Sequence, residues 1–427
     1  TRELANYPLV IVDEANFARM DTIAREDYVY YEYMRMWWPM QDYWNLTGER
    51  IWNAIRDPQM RQALFQIWLN RDYTLYSEVT GNQGLTLTTW NPSAKIRIYI
   101  RKDVVAQIWN YGSSPVINDT VDVDPYAESI QQAQPEIMLG ATGAEIGYFE
   151  APRGIALAPD GTLYVADSRN HRIQHLTAGG EVLQVWGSFA DLAQGEAPGG
   201  TFNEPWSVAV DSKGNVYVAD TWNHRIQKFG ADGQFLKMWG TFGQAETTDG
   251  MWGPRGLAID AQDRLFVTDT GNKRVLIFDS EGNYLSQFGS VGMDAGQFDE
   301  PVGIAVNPEG QVVVADTWNQ RVQVFAADAS GLYYYPILSW DVSGWFSQSL
   351  DNKPYLAVDA SGRVYVTDPE GIRVLVFDAQ GGFLYGWGDY NLDTDGFSLP
   401  VGIAVDAQGG VWVSDAGANR LVYFRLP

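Results

Sequence analysis

Between residues 152 and 420 one pattern runs six times: a Pro, a short apolar run, a polar turn such as Asp-Ser-Lys-Gly, an apolar run closing on Asp, and an Arg five residues on that opens another apolar run. The Pro falls at Pro152, Pro205, Pro254, Pro301, Pro354 and Pro400, the Asp at Asp167, Asp220, Asp269, Asp316, Asp368 and Asp415, and the Arg at Arg172, Arg225, Arg274, Arg321, Arg373 and Arg420. Short strands recurring at a period of about 50 residues are the mark of a propeller, since one such unit cannot bury its apolar faces alone.

The copy at 205–240 predicts four strands, at 206–210, 216–219, 225–229 and 235–239, parted by turns bearing Gly, Asn or Asp. Small residues in the first strand (Ala156, Ala209, Ala258, Ala305, Ala357, Ala404) suit a crowded axis. The last repeat stops at its third strand, 421–426, while 136–140 (EIMLG) aligns with the fourth strand LKMWG of the second repeat. The segment before the first repeat is therefore expected to supply the outer strand of the last one, closing the ring and removing an open sheet edge.

The triplets Asn170-His171-Arg172 and Asn223-His224-Arg225, with the variants Asn272-Lys273-Arg274 and Asn319-Gln320-Arg321, resemble NHL repeats. Asn419-Arg420 keeps two of the three residues, and Gly371-Ile372-Arg373 has lost the Asn. The resemblance covers about 136–427 and implies a six-bladed β-propeller. The expected fold is mainly β: a small α/β domain at 1–112, a Ser-, Pro-, Asp- and Gln-bearing linker at 113–135, and the propeller at 136–427.

Charge narrows the partners. The net charge is −24, and 136–427 carries 17 basic against 36 acidic residues, so the expected partners exclude nucleic acid, whose binding draws on basic contacts. The absence of Cys excludes disulfides and thiolate metal sites. With only His171, His175 and His224, two of them at one repeat position, no zinc site is expected; cofactors are expected to be none, with calcium at Asp clusters left open. No apolar run approaches the ~20 residues of a membrane helix. The start at Thr1 reads either as removal of a leader or tag or as the downstream part of a longer polypeptide.

Features present in every repeat are architectural first, so the repeated Asp and Arg read as structure. Departures from the repeat are better places to look for a ligand. The residue after each Pro varies, and Arg153, Trp206, Arg255 and Tyr355 are expected to ring one mouth of the channel, where they would either hold an anionic or sugar-like ligand or plug the opening. The insert at 188–201 reads as a mobile loop. The insert at 332–350 is aromatic, and Tyr334, Trp340 and Trp345 are candidate partner-binding residues unless they pack as core.

In the N-terminal third, 8–13 and 96–100 read as strands, 58–70 as a strong helix opened by Asp57-Pro58, and 103–109 as a short helix. The run at 35–44, RMWWPMQDYW, adds Trp37, Trp38 and Trp44 as partner-binding candidates. With 98–112 it resembles the extracytoplasmic tail of bacterial mannosyltransferase-type membrane proteins, which implies an extracytoplasmic, membrane-associated setting. No phosphate loop, HExxH or Cys nucleophile is present, so no catalytic residue is assigned. Three readings follow: a contact module of the cell envelope binding a protein or glycan, without chemistry of its own; the soluble tail of a membrane glycosyltransferase-like protein; and a metal-dependent lyase or hydrolase in the channel.

Overall fold

The computed structural model describes residues 9–13, 17, 20, 28–34, 56–70, 74–80, 95–101 and 124–426, the last span without 245–246, 346–348, 350–351 and 391–395. The chain divides into two compact units, Thr1–Val121 and Asp122–Pro427. The run at 35–44 with its Trp37, Trp38 and Trp44, and the helix expected at 103–109, lie outside the described residues.

In the first unit, strands Leu9–Asp13, Lys95–Arg101 and Tyr28–Met34 form an antiparallel sheet with Lys95–Arg101 in the middle. The strand Tyr28–Met34 is not among the expected elements, because YVYYEYM, with four Tyr in seven residues, shows no clean alternation. Helix Pro58–Asn70 starts where expected. The Asp57 carboxylate accepts the Gln59 N–H at 2.9 Å, and Pro58 occupies a first-turn position whose N–H would have no partner in the helix.

The second unit is the propeller. Blade two consists of Pro205–Val210, Val216–Asp220, Arg225–Phe229 and Phe235–Trp239 in simple antiparallel order. Six apolar clusters each join two neighbouring blades, so the core is a ring of sheet-on-sheet interfaces. Between blades two and three, for example, Tyr217, Ile226 and Met251 meet Leu265, Leu276 and Phe278. The loop entering each of five blades is anchored by one fully buried side chain, Phe149, Phe202, Met251, Phe298 or Phe397, worth roughly 2 kcal/mol apiece.

The ring closes as expected. Ile137–Leu139 pairs antiparallel with the last blade's third strand, Leu421 against Leu139 and Tyr423 against Ile137. The stretch read as linker differs from expectation. Ile130–Gln131 adds a fifth, parallel strand to blade five beside Phe383–Trp387, and Tyr126 and Ala133 are buried in the clusters on either side of that blade. Its polar composition concealed this, because two buried side chains and two strand residues leave no periodicity to read. The insert at 188–201 is likewise pinned. Asn223 donates to the Ala190 carbonyl and accepts the Leu192 N–H, both at 2.9 Å.

Candidate functional site

The repeated Asp and Arg of each blade form one buried clasp. Asp220 is fully buried and takes the Arg225 Nε–H at 2.7 Å, the Gln227 and Asn223 amides at 3.0 Å, and the Asn203 backbone N–H at 2.7 Å. Arg225 in turn donates to the Ala197 and Thr201 carbonyls of the loop entering the blade. Burial pushes the carboxyls of Asp167, Asp220, Asp269 and Asp316 up from their ordinary value, against the Arg and amide donors that pull them down. The clasp is architecture, as expected from its presence in every blade. In blade five no Asn stands at that turn, and the outer nitrogens of Arg373 are held instead by Asp124 of the preceding segment.

The residue that caps each 3₁₀ turn lies in the left-handed region, at His171 (φ 54°) and His224 (φ 56°). There the imidazole Nδ1 accepts a backbone N–H from the next blade, Glu204 or Gly253, at 3.1 Å. Asn419 does the same for the Ala151 N–H through its side-chain oxygen at 2.7 Å. Burial holds both His below their ordinary 6.5. The unfolded chain therefore binds more protons, so this stability is complete above pH 6.5 and is lost as pH falls below it. Between pH 7 and pH 5 the two imidazoles lower the melting temperature, against the raised Asp carboxyls, which act in the opposite sense, so H171N/H224N, which installs the side chain used by blade six, is expected to lose less on acidification than the parent chain. Calorimetry across the range reads the difference. His175 takes no part: its ring stacks on Tyr164 at 4.0 Å and its Nε2 lies 2.7 Å from the Thr162 hydroxyl.

The residues following the repeated Pro converge at the channel mouth and close it. A bulge after the Pro shifts the register of the inner strand, between Pro205 and Ser207 in blade two and at the equivalent point of four other blades. Arg153 and Arg255 both stack on Trp206, with guanidinium carbons 3.8 and 4.5 Å from its ring. Tyr355 reaches across from blade five, and its hydroxyl lies 3.0 and 2.9 Å from the Trp206 and Arg255 carbonyls. All four side chains are buried. Of the two roles expected for this ring, the geometry is that of a plug.

Arg255 also meets a charge cluster that sequence reasoning missed. Glu300 receives Arg255 Nη1 at 2.7 Å and Lys273 Nζ at 2.8 Å, with Lys353 Nζ at 3.3 Å. Glu300 and Lys353 are the residues immediately before the repeated Pro, a column that reads Ala151, Glu204, Gly253, Glu300, Lys353, Leu399 and could have been found as a second variable position. The three cations hold the Glu300 carboxyl below its usual value against the effect of burial, which by itself would raise it.

The aromatic insert corrects the partner-binding expectation. Trp345 is 1% exposed and donates its indole N–H to the Thr367 carbonyl at 3.0 Å inside the blade four–five interface. Trp340 packs on Phe377, and Tyr334 lies against Phe288 and Phe266. These rings occupy the inward face of the outer strand Tyr334–Asp341, whose residues alternate in burial. Tyr333, Tyr335 and Ile337 are the exposed ones.

Large exposed apolar side chains gather elsewhere. Phe189, Leu192, Trp222, Phe242, Trp252, Val291 and Met293 stand on the loops and turns of blades one to three, at the end where each inner strand begins. Phe242 is 64% and Met293 77% exposed. A repeat feature underlies part of this crown, because Phe189, Phe242 and Val291 each form a parallel bridge within the loop.

The NHL repeat pattern matches 149–176, 202–229, 251–278, 298–325 and 397–424. The propeller is built of NHL repeats. The five matched segments belong to blades one to four and six; blade five is the one whose clasp borrows Asp124. Among curated relatives, peptidyl-glycine alpha-amidating monooxygenase A of Xenopus laevis is 32% identical over 30% of this chain and 13% of its own length. NHL repeat-containing protein 3 of Homo sapiens is 35% identical over 21% of this chain and 26% of its own. The matches thus span only a minor part of those proteins. Among solved structures, a streptogramin B lyase covers 68% of this chain and 98% of its own, with a TM-score of 0.46 and 13% identity.

Proposed function

We propose that this NHL propeller is a contact module that binds a protein partner through the apolar crown on blades one to three, and that it has no chemistry of its own. The observation that carries this reading is the crown itself: aromatic and aliphatic side chains on rigid, hydrogen-bonded loops, at one end of the molecule. Such rings bury large areas with few rotors to freeze, which is what an interface core requires. The blocked channel mouth favours contact over channel chemistry, because Tyr355 and Trp206 occupy the space where a substrate would enter from that end.

A photo-crosslinking residue at Phe242 or Trp252 is expected to capture a discrete protein partner in the cells of origin, and the same residue at Ile337, on the outer rim, is not. F189S/F242S should abolish capture from Trp252 while leaving the melting temperature within a few degrees. Equal capture from Ile337, or capture undiminished in the double variant, would overturn the reading. Capture of glycan instead of protein would move the partner to the other class.

A further inference from the structure

The cluster around Glu300 contains more donors than its carboxylate can serve. Lys353 Nζ is fully buried, and its contact with Glu300, at 3.3 Å, falls short of good hydrogen-bond geometry. The Trp318 indole N–H and the Arg255 Nε–H, also buried, make no hydrogen bond. Lys353 and Lys273 lie 4.6 and 5.0 Å from the Trp318 ring, and Arg255 shares Glu300 Oε2 with Lys353. The unserved groups thus sit on or beside the cations that hold one carboxylate, Arg255 on the inner strand of blade three, Trp318 on a turn of blade four and Lys353 on the segment entering blade five.

Their chemistry selects the occupant. Every unserved group named here is a donor. A cation finds no acceptor among them, whereas an oxyanion can accept from all three without adding a donor of its own. Charge points the same way: Arg255, Lys273 and Lys353 face Glu300 and the partly exposed Asp299, a surplus of one positive charge in a chain of net charge −24. A buried ammonium without acceptors is costly, and burial already lowers the Lys353 pKa to about 8.

We propose that Lys353, Arg255 and Trp318 form a binding site for one small oxyanion, a carboxylate or phosphate group that shares the three cations with Glu300. The site lies beside the Trp206 plug, and Arg255 also reaches the ring of Trp222 in the apolar crown at 5.8 Å.

The test uses the full chain at pH 7 and fixed ionic strength, with chloride replaced by acetate or by inorganic phosphate. One of the two is expected to raise the melting temperature saturably by several degrees and to shift the ¹⁵N–¹H resonance of the Trp318 indole. Acetate alone acting would assign a carboxylate, and phosphate alone a phosphate. K353M should abolish both responses. W318F, which keeps the ring and removes the donor, should weaken binding several-fold and guards against K353M failing to fold. Identical melting in chloride, acetate and phosphate with an unmoved Trp318 resonance would overturn the proposal, as would an undiminished response in both variants.

Discussion

I137D/L139D in the full chain is expected to lower the melting temperature of the propeller by about 10 °C, while M138D leaves it nearly unchanged. Ile137 and Leu139 face the blade six–one core, where they pack beside Trp412, Leu421 and Tyr423, whereas Met138 is exposed on the other face of the same three-residue strand. Two carboxylates on the inward face would expel the strand and leave the third strand of blade six, Arg420–Arg425, as an open edge. The loss of two apolar side chains and the exposure of their partners amounts to about 5 kcal/mol, and for a domain this size each 1 kcal/mol moves the midpoint by roughly 2 °C. Equal melting of the double variant and M138D would mean that the ring is held closed without this strand.

D220A is expected to be the most damaging single substitution in the clasp series. It leaves Arg225, 3% exposed at its side chain, as an unpaired buried cation, and it strips an acceptor from Gln227, Asn223 and the Asn203 N–H. Removing one partner of a buried ion pair costs about 3–5 kcal/mol. D124A should cost far less, because Arg373 retains Asp368 at 2.8 Å when its outer partner is gone. Urea unfolding of the two variants gives both numbers. A D220A midpoint matching that of D124A would show that the clasp carries little of the stability.

Much of the propeller was legible because its design repeats. Any one copy of the pattern is ambiguous, but six copies with a fixed interval from Pro to Asp to Arg leave few alternatives. The strands of blade two were foreseen to within one residue at each end, and so was closure by Ile137–Leu139. The same logic failed at blade five. There the compensating group, Asp124, lies 249 residues from the Arg it serves, and nothing local to either residue announces the pairing.

The candidate site was legible only as a set of positions. Sequence spacing put Arg153, Trp206, Arg255 and Tyr355 at one end of the channel, but whether four such side chains leave an opening or fill it depends on their rotamers and on the bulge that aims them inward. Trp345 shows the same limit, since a Trp near an outer strand can face either solvent or the next blade, and strand alternation decides this only when the register is known.

The sequence by itself determined the number of blades, their order, the strand that closes them and the architectural standing of the repeated Asp and Arg, because these follow from local pattern and from the interval between copies. Only the tertiary structure decided that the mouth is plugged, that Arg255 and Lys273 of blade three and Lys353 at the entry to blade five share Glu300, and that a row of exposed apolar side chains stands on the loops of blades one to three. Those features depend on side chains brought together from distant points of the ring, and their contact is set by the curvature and packing of all six blades.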